Sequence, residues 1–309
     1  MSMGKRRGRA VSVSVAGVAL AVAGVMVMTG CATAESPAPR STVTVYASPS
    51  PSPSSSASAS ASSTQPSAGA NPALAAGFRR VAAGTGLRVG IAVAPVGPNA
   101  TASLLFGDRD PGVAWSTIKV PLAVAAEREN GTSTAESNAI INSDNQAAEQ
   151  LWASLGSNTE ASAKVTAVLR EGGNPNTVVP SQQLRSGFTI FGQTRWTLPD
   201  AATFAGHLPC MPGTGHVLSL MGQVAGNQQW GVEIMQIPKT TAVKGGWGPG
   251  VDGAYLVRQI GVLTYRDGQQ SAVAMSAVGG SMSSGTAALN ALGNWLNQNI
   301  AALPRGRCR

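Results

Sequence analysis

Strand-like alternation occurs at two places in this chain that are separated by a long helical stretch, and any fold must bring the two together. Leu87 to Val96 sets Val89, Ile91 and Val93 on one face, and a turn at Gly97-Pro98-Asn99-Ala100 leads to a second strand over Ala102 to Phe106. The strand period returns from Gln229, over Trp230 to Ile237, Ala242 to Gly246, Ala254 to Tyr265 and Ser271 to Val278. Between these stretches the spacing is helical through Glu127, over Ser133 to Ile141, Gln146 to Leu155, Glu160 to Glu171, Pro199 to Leu208 and Met211 to Gln223. Gly107 to Gly112 and residues 174–196 follow no clear period. A first helix over Pro72 to Ala83 and a closing amphipathic helix over Gly285 to Ala302 complete the pattern. This layout predicts an α+β domain over 71–309. A single antiparallel sheet is built from both ends of the domain (71–115 and 215–309), with flanking helices and an all-helical part at 116–214.

The first 70 of the 309 residues cannot contribute to that core. Lys5, Arg6, Arg7 and Arg9 followed by an apolar run from Ala10 to Met28 read as a secretory signal over 1–30. Met28-Thr29-Gly30-Cys31 resembles the bacterial lipobox, whose cysteine is lipidated; a plain cleavage site or an uncleaved anchor helix are the other readings. Residues 31–70 are Ser, Ala, Pro and Thr with almost no large apolar side chain, and so read as a disordered tether reaching about 35 Å. The expected location is therefore the outer face of the bacterial cytoplasmic membrane, held through Cys31. Loss of the signal removes four of the formal +8 charges, and no basic stripe with interleaved aromatics supports nucleic-acid binding. Cys210 and Cys308 remain as a disulfide pair or as two free thiols. With His207 and His216 they do not form a spaced metal set, and neither a metal nor another cofactor is expected.

Three short motifs carry possible chemistry. In Ser116-Thr117-Ile118-Lys119 the helical i, i+3 spacing sets an amine over a hydroxyl, which a serine needs to become a nucleophile. Taken singly, the same four residues describe a helix start with a solvated lysine. In Asn142-Ser143-Asp144-Asn145 a second serine can pass a proton and an asparagine amide can hold a carbonyl, although all three polar residues also favour a helix cap. Lys244-Gly245-Gly246, before Trp247, offers positive charge for an anionic substrate and backbone without side chains for close approach; otherwise it is a strand end.

In this order, and within this pattern of elements, the motifs resemble the penicillin-binding protein and serine β-lactamase superfamily. Leu87 to Val93, Ser116 to Val120 and Ile141 to Ala148 resemble its class A β-lactamase branch in particular. So does Thr194-Arg195-Trp196-Thr197-Leu198-Pro199, which is similar to the segment after the family's Ω-loop. The resemblance implies that Ser116 is the acylated nucleophile, Lys119 its activating partner and Ser143 the proton shuttle. Asn145 would hold the substrate's amide and Lys244 its carboxylate, beside Gly246. The N–H groups of Ser116 and Trp247 would form the oxyanion hole. The stretch between Ser116 and Ser143 is shorter than in class A enzymes, implying a reduced helical part. Gly245 replaces a hydroxyl residue, and Ser181-Gln182-Gln183-Leu184-Arg185 stands where the family has Glu-x-x-Leu-Asn, so the water-activating glutamate is missing.

These features point to an exported serine hydrolase that forms an acyl-enzyme at Ser116 with β-lactams or related cell-wall amides and releases it slowly. A D-Ala-D-Ala-type peptidase or esterase, or a non-catalytic envelope lipoprotein keeping the fold to bind peptidoglycan or a protein, are the alternatives.

Overall fold

A computed structural model of the chain describes residues 71–308. The signal over 1–30, Cys31 and the tether to residue 70 lie outside the described residues. Asn71 starts the domain by accepting the Ala73 N–H, with Pro72 next to it at the first helical position. Helix α1 (Pro72–Thr85) leads to strands β1 (Arg88–Pro95), β2 (Leu104–Gly107) and β3 (Gly112–Val113). The helical part follows as α2 (Lys119–Asn130), α3 (Thr134–Ser137), α4 (Asn145–Ser154) and α5 (Asn158–Glu171). Strand β4 (Arg195–Trp196), α6 (Leu198–His207) and α7 (Gly215–Met221) lead back to the sheet through β5 (Thr240–Pro249), β6 (Tyr255–Thr264) and β7 (Gln270–Gly279), and α8 (Met282–Gln298) closes the domain.

The α+β architecture is the expected one. Five antiparallel strands run in the order β2-β1-β7-β6-β5, so the early hairpin joins the late strands where β1 pairs with β7. Val89, Ile91 and Val93 share the core with Phe78 of α1 and Leu289, Leu292 and Trp295 of α8. Phe78, Phe106 and Trp295 make three ring contacts there, at centroid distances of 5.3, 5.8 and 5.4 Å. Ala92, Ala94, Ala272 and Ala274 belong to the other core, with α6 close against them. The approach is tight: a Cβ at Gly206 would fall 2.8 Å from Pro95 O.

Several elements differ from the sequence pattern. Trp230 to Ile237 is not a strand. Trp230, Val232 and Met235 are buried, but the backbone there is a 3₁₀ turn (Gly231–Ile234). Its N–H groups are taken by side-chain amides, Gly231 by Asn290 Oδ1 and Val232 by Gln259 Oε1, which a strand neighbour would otherwise supply. Met211 to Gln223 is helical only from Gly215, and Ser133 to Ile141 divides into α3 and a π-helical turn (Asn138–Asn142). The aperiodic residues near 112 and 195 pair as β3 and β4. Buried Arg258 of β6 ties that ribbon to the main sheet by donating to Gly112 O, Val113 O and Trp196 O. Among the described residues no helix is long and apolar enough to cross a membrane.

Cys210 and Cys308 form a disulfide across a sequence separation of 98. A loop of this size constrains the unfolded chain strongly. Replacing both cysteines by serine is expected to cost about 2–5 kcal/mol, seen as a lower urea midpoint with an intact native circular dichroism spectrum.

Candidate active site

The Ser116-to-Lys119 motif begins as a single 3₁₀ turn (Trp115–Ile118) that runs into α2. Trp115 enters it with φ of 48°, a region that an aromatic residue adopts only when its surroundings impose it. Two contacts do so: its ring lies 5.1 Å from that of Phe188, and it covers Gly248, where a Cβ would fall 2.6 Å from the indole. Strand β5 passes directly over the turn. A Cβ on Gly246 would come within 2.9 Å of both Ser116 N and Thr117 N and 2.8 Å of Ala114 O. Only a glycine allows β5 to lie backbone to backbone against the serine.

Behind the turn, two buried amines meet at Ser143. Lys119 is 1% exposed and donates to Ser143 O at 2.6 Å, Asn145 Oδ1 at 2.8 Å and Asp144 O at 3.1 Å. Lys244 is fully buried and donates to Ser143 Oγ at 2.8 Å, Gly245 O at 2.9 Å and Gln228 Oε1. No hydrogen bond among the described residues joins Ser116 Oγ to either amine. Burial lowers Lys119 to about 8, against the opposing attraction of Asp144 and Glu149. Burial, and then repulsion from Lys119, pushes Lys244 well below the usual lysine range.

Ser143 holds this position in a left-handed conformation, φ 57°. Its N–H bonds Asn138 O across the π-helical turn, and Asp144 N bonds the same oxygen at 3.1 Å. The Ser-Asp-Asn motif then divides its work. Asp144 caps α4 by accepting the Ala147 N–H at 2.8 Å, while Ser143 and Asn145 on either side face the amines.

Ser116, Asn145 and Trp247 line a cleft of about 720 Å³, together with Trp115, Glu149, Gln183 and Phe188. Lys119, Ser143, Lys244 and Gly246 do not line it; the contacts above join them to its floor. A second cavity of about 450 Å³, lined by Arg258, Arg195 and Asp108 and sharing Trp115, contains neither Ser116 nor either lysine. Gln183 of the Ω-like segment reaches the cleft, whereas Ser181 does not line it. Arg185 of that segment stacks over Phe188 and donates to Pro249 O at 2.7 Å, tying the segment to the end of β5.

Three residues of the site escaped the sequence reading. Gln228 accepts from Lys244 Nζ and Gly245 N, and donates to Ile140 O and Ile141 O, so it joins β5 to the turn that carries Ser143. In sequence it is one of several amides in a polar stretch, with nothing to mark it. Trp230 explains Gly245: a Cβ there would meet Trp230 Cζ2 at 2.7 Å, so the indole takes the room a threonine side chain would need. Glu149 follows Asn145 by four residues on α4 and is the one acid among the described residues lining the cleft.

Glu127, Glu136 and His216 could hold a metal ion, their donor atoms lying within 4.8 Å of one another, but none lines the cleft. Here His216 Nδ1 stands 3.2 Å from Glu136 Oε1. Burial, followed by the hydrogen bond that a protonated Glu136 donates to Glu127, raises Glu136 to about 7.

Solved structures are similar to this chain over most of its length. The TLA-3 extended-spectrum β-lactamase shares 13% identity, with 74% of this chain and 100% of that one covered and a TM-score of 0.57. A β-lactamase from Burkholderia vietnamiensis shares 16%, covering 76% and 98%, at 0.56. A variant of the last common ancestor of the Gram-negative class A β-lactamases shares 20%, covering 74% and 98%, at 0.53. The fold is therefore class A β-lactamase-like. No protein-family model and no curated protein matches the chain.

The fit of Trp230 over Gly245 is testable. Gly245→Thr is expected to destabilise the protein by about 1–3 kcal/mol through overpacking, measured by urea unfolding. In a Trp230→Leu background the same substitution should cost less, since the two sites share one space.

Proposed function

We propose that this β-lactamase-like domain is a serine hydrolase whose Ser116 is acylated by β-lactams or related cell-wall amides, with slow release of the acyl group. The observation that carries the reading is the run Lys119–Ser143–Lys244, with both amines buried and no carboxylate bonded to either, beneath a serine whose backbone lies against β5.

The chemistry follows from the protons available. With Lys119 lowered to about 8, roughly a tenth is neutral at pH 7 and able to take the Ser116 proton as Oγ attacks the carbonyl carbon. Backbone N–H groups of Ser116 and Trp247 would hold the developing oxyanion, and losing such a donor costs about 10²–10³ in rate. As the C–N bond breaks, the leaving nitrogen takes the Ser143 hydroxyl proton, which Lys244 can replace across the 2.8 Å contact. A substrate carboxylate near Lys244 would favour its charged form. Slow release is supported by Ser181 and Gln183, neither of which can act as a base at neutral pH.

The filled space at Gly245, where no hydroxyl is present to bind a substrate carboxylate, favours a second reading, a non-catalytic envelope protein that keeps the fold to bind peptidoglycan or a protein partner. On the sequence alone we further propose export and anchoring through lipidated Cys31 at the outer face of the cytoplasmic membrane, after a signal over 1–30 and a tether over 31–70.

Incubation with a fluorescent penicillin should give a single covalent adduct, found on Ser116 by mass analysis and lost in Ser116→Ala. An undiminished adduct on that variant, or none on wild type, would sink the proposal; D-Ala-D-Ala peptides as competitors separate the peptidase reading. The acylation rate should rise with pH, because the neutral amine is the base, and level off above about 8. A rate that falls over the same range in stopped-flow measurements would remove Lys119 as the base.

A further inference from the structure

We propose that Glu149 is the general base that activates the water for hydrolysis of the Ser116 acyl-enzyme, an assignment that rests on the acylation of Ser116 proposed above. Glu149 stands four residues beyond Asn145 on α4, so the two share a helix face with a rise of about 6 Å between them. Both line the cleft that holds Ser116.

The other groups in the cleft cannot do this work. Gln146 and Gln183 can orient a water but not take its proton. Tyr255, also on the wall, is raised by burial above the usual phenol range and so stays protonated at neutral pH. Lys119 is spent: once it has taken the Ser116 proton it is an ammonium and can accept no second one. Glu149 remains as a carboxylate on the same wall, within the electrostatic reach of that ammonium. Burial raises its carboxyl above the ordinary range, with Lys119 opposing, and a raised value makes a stronger base.

The step balances. Glu149 takes one proton from water while the oxygen adds to the acyl carbonyl carbon. Collapse of the tetrahedral intermediate breaks the bond to Ser116 Oγ, which recovers its proton from Lys119. Glu149 then releases its proton to solvent, and Lys244, which gave one to Ser143 during acylation, regains one from solvent, leaving the free acid product and the starting enzyme.

The test uses the full chain as wild type, Glu149→Gln and Glu149→Asp. Each is labelled with a fluorescent penicillin, freed of excess reagent and followed by intact mass as the adduct leaves. The adduct should persist at least about 100-fold longer on Glu149→Gln than on wild type, with Glu149→Asp between them. Release from wild type should slow as pH falls through the raised carboxyl value, and this acid limb should be absent from Glu149→Gln. Equal release from wild type and Glu149→Gln, an acid limb that persists in that variant, or no release from wild type would overturn the assignment while leaving Ser116 acylation standing. A Glu149→Gln chain that takes no label while Glu149→Asp does would move Glu149 out of the release step and also overturn it. No adduct on wild type overturns the Ser116 reading, and this one with it.

Discussion

Two lysine amines are buried side by side in this domain, each held by oxygens that carry no full charge. Burying an ammonium in this way costs several kcal/mol unless its donors are satisfied. Lys119 and Lys244 each have three acceptors, supplied by backbone carbonyls, amide oxygens and the Ser143 hydroxyl. Because no carboxylate bonds them, burial dominates and both values fall. An ordinary surface lysine is fully charged at neutral pH and cannot take a proton. The arrangement thus converts two strong cations into groups that can exchange protons, and Ser143 is the atom pair through which they meet.

Much of the local backbone exists to hold that meeting point. The π-helical turn lifts Ser143 into a left-handed conformation, and Gln228 fastens the turn to β5 by bonding to both. On the other side, glycine at 246 lets β5 touch the turn that carries Ser116, while Arg258 anchors the ribbon from which that turn springs. Trp230 and Trp247, with ring centroids 6.3 Å apart, pack over Gly245, and Trp247 continues into the wall of the cleft. The same strand therefore carries a buried charge, a bare backbone approach and an aromatic wall at consecutive positions.

The strands and most helices were legible because their apolar residues follow the periods of the structures they form. Val89, Ile91 and Val93 alternate and are buried together; Leu289, Leu292 and Leu296 recur at helical spacing and do the same. Trp230 to Ile237 misled because its side chains alternate while its hydrogen bonds go to the amides of Asn290 and Gln259, partners distant in sequence. At the site, Ser116, Lys119, Ser143, Asn145 and Lys244 were legible as motifs. Gln228, Trp230 and Glu149 were not, since what each of them meets is set by the fold and not by local spacing.

By itself the sequence determined the α+β layout, the three motifs and the absence of a carboxylate at Ser181, because these depend on residue type and local spacing. Only the tertiary structure decided that both lysines share Ser143, that Trp230 excludes a side chain at 245, and that Glu149 faces the cleft. Those facts depend on which segments meet in space, and burial, which sets the behaviour of the amines, is a property of that meeting and not of any one residue.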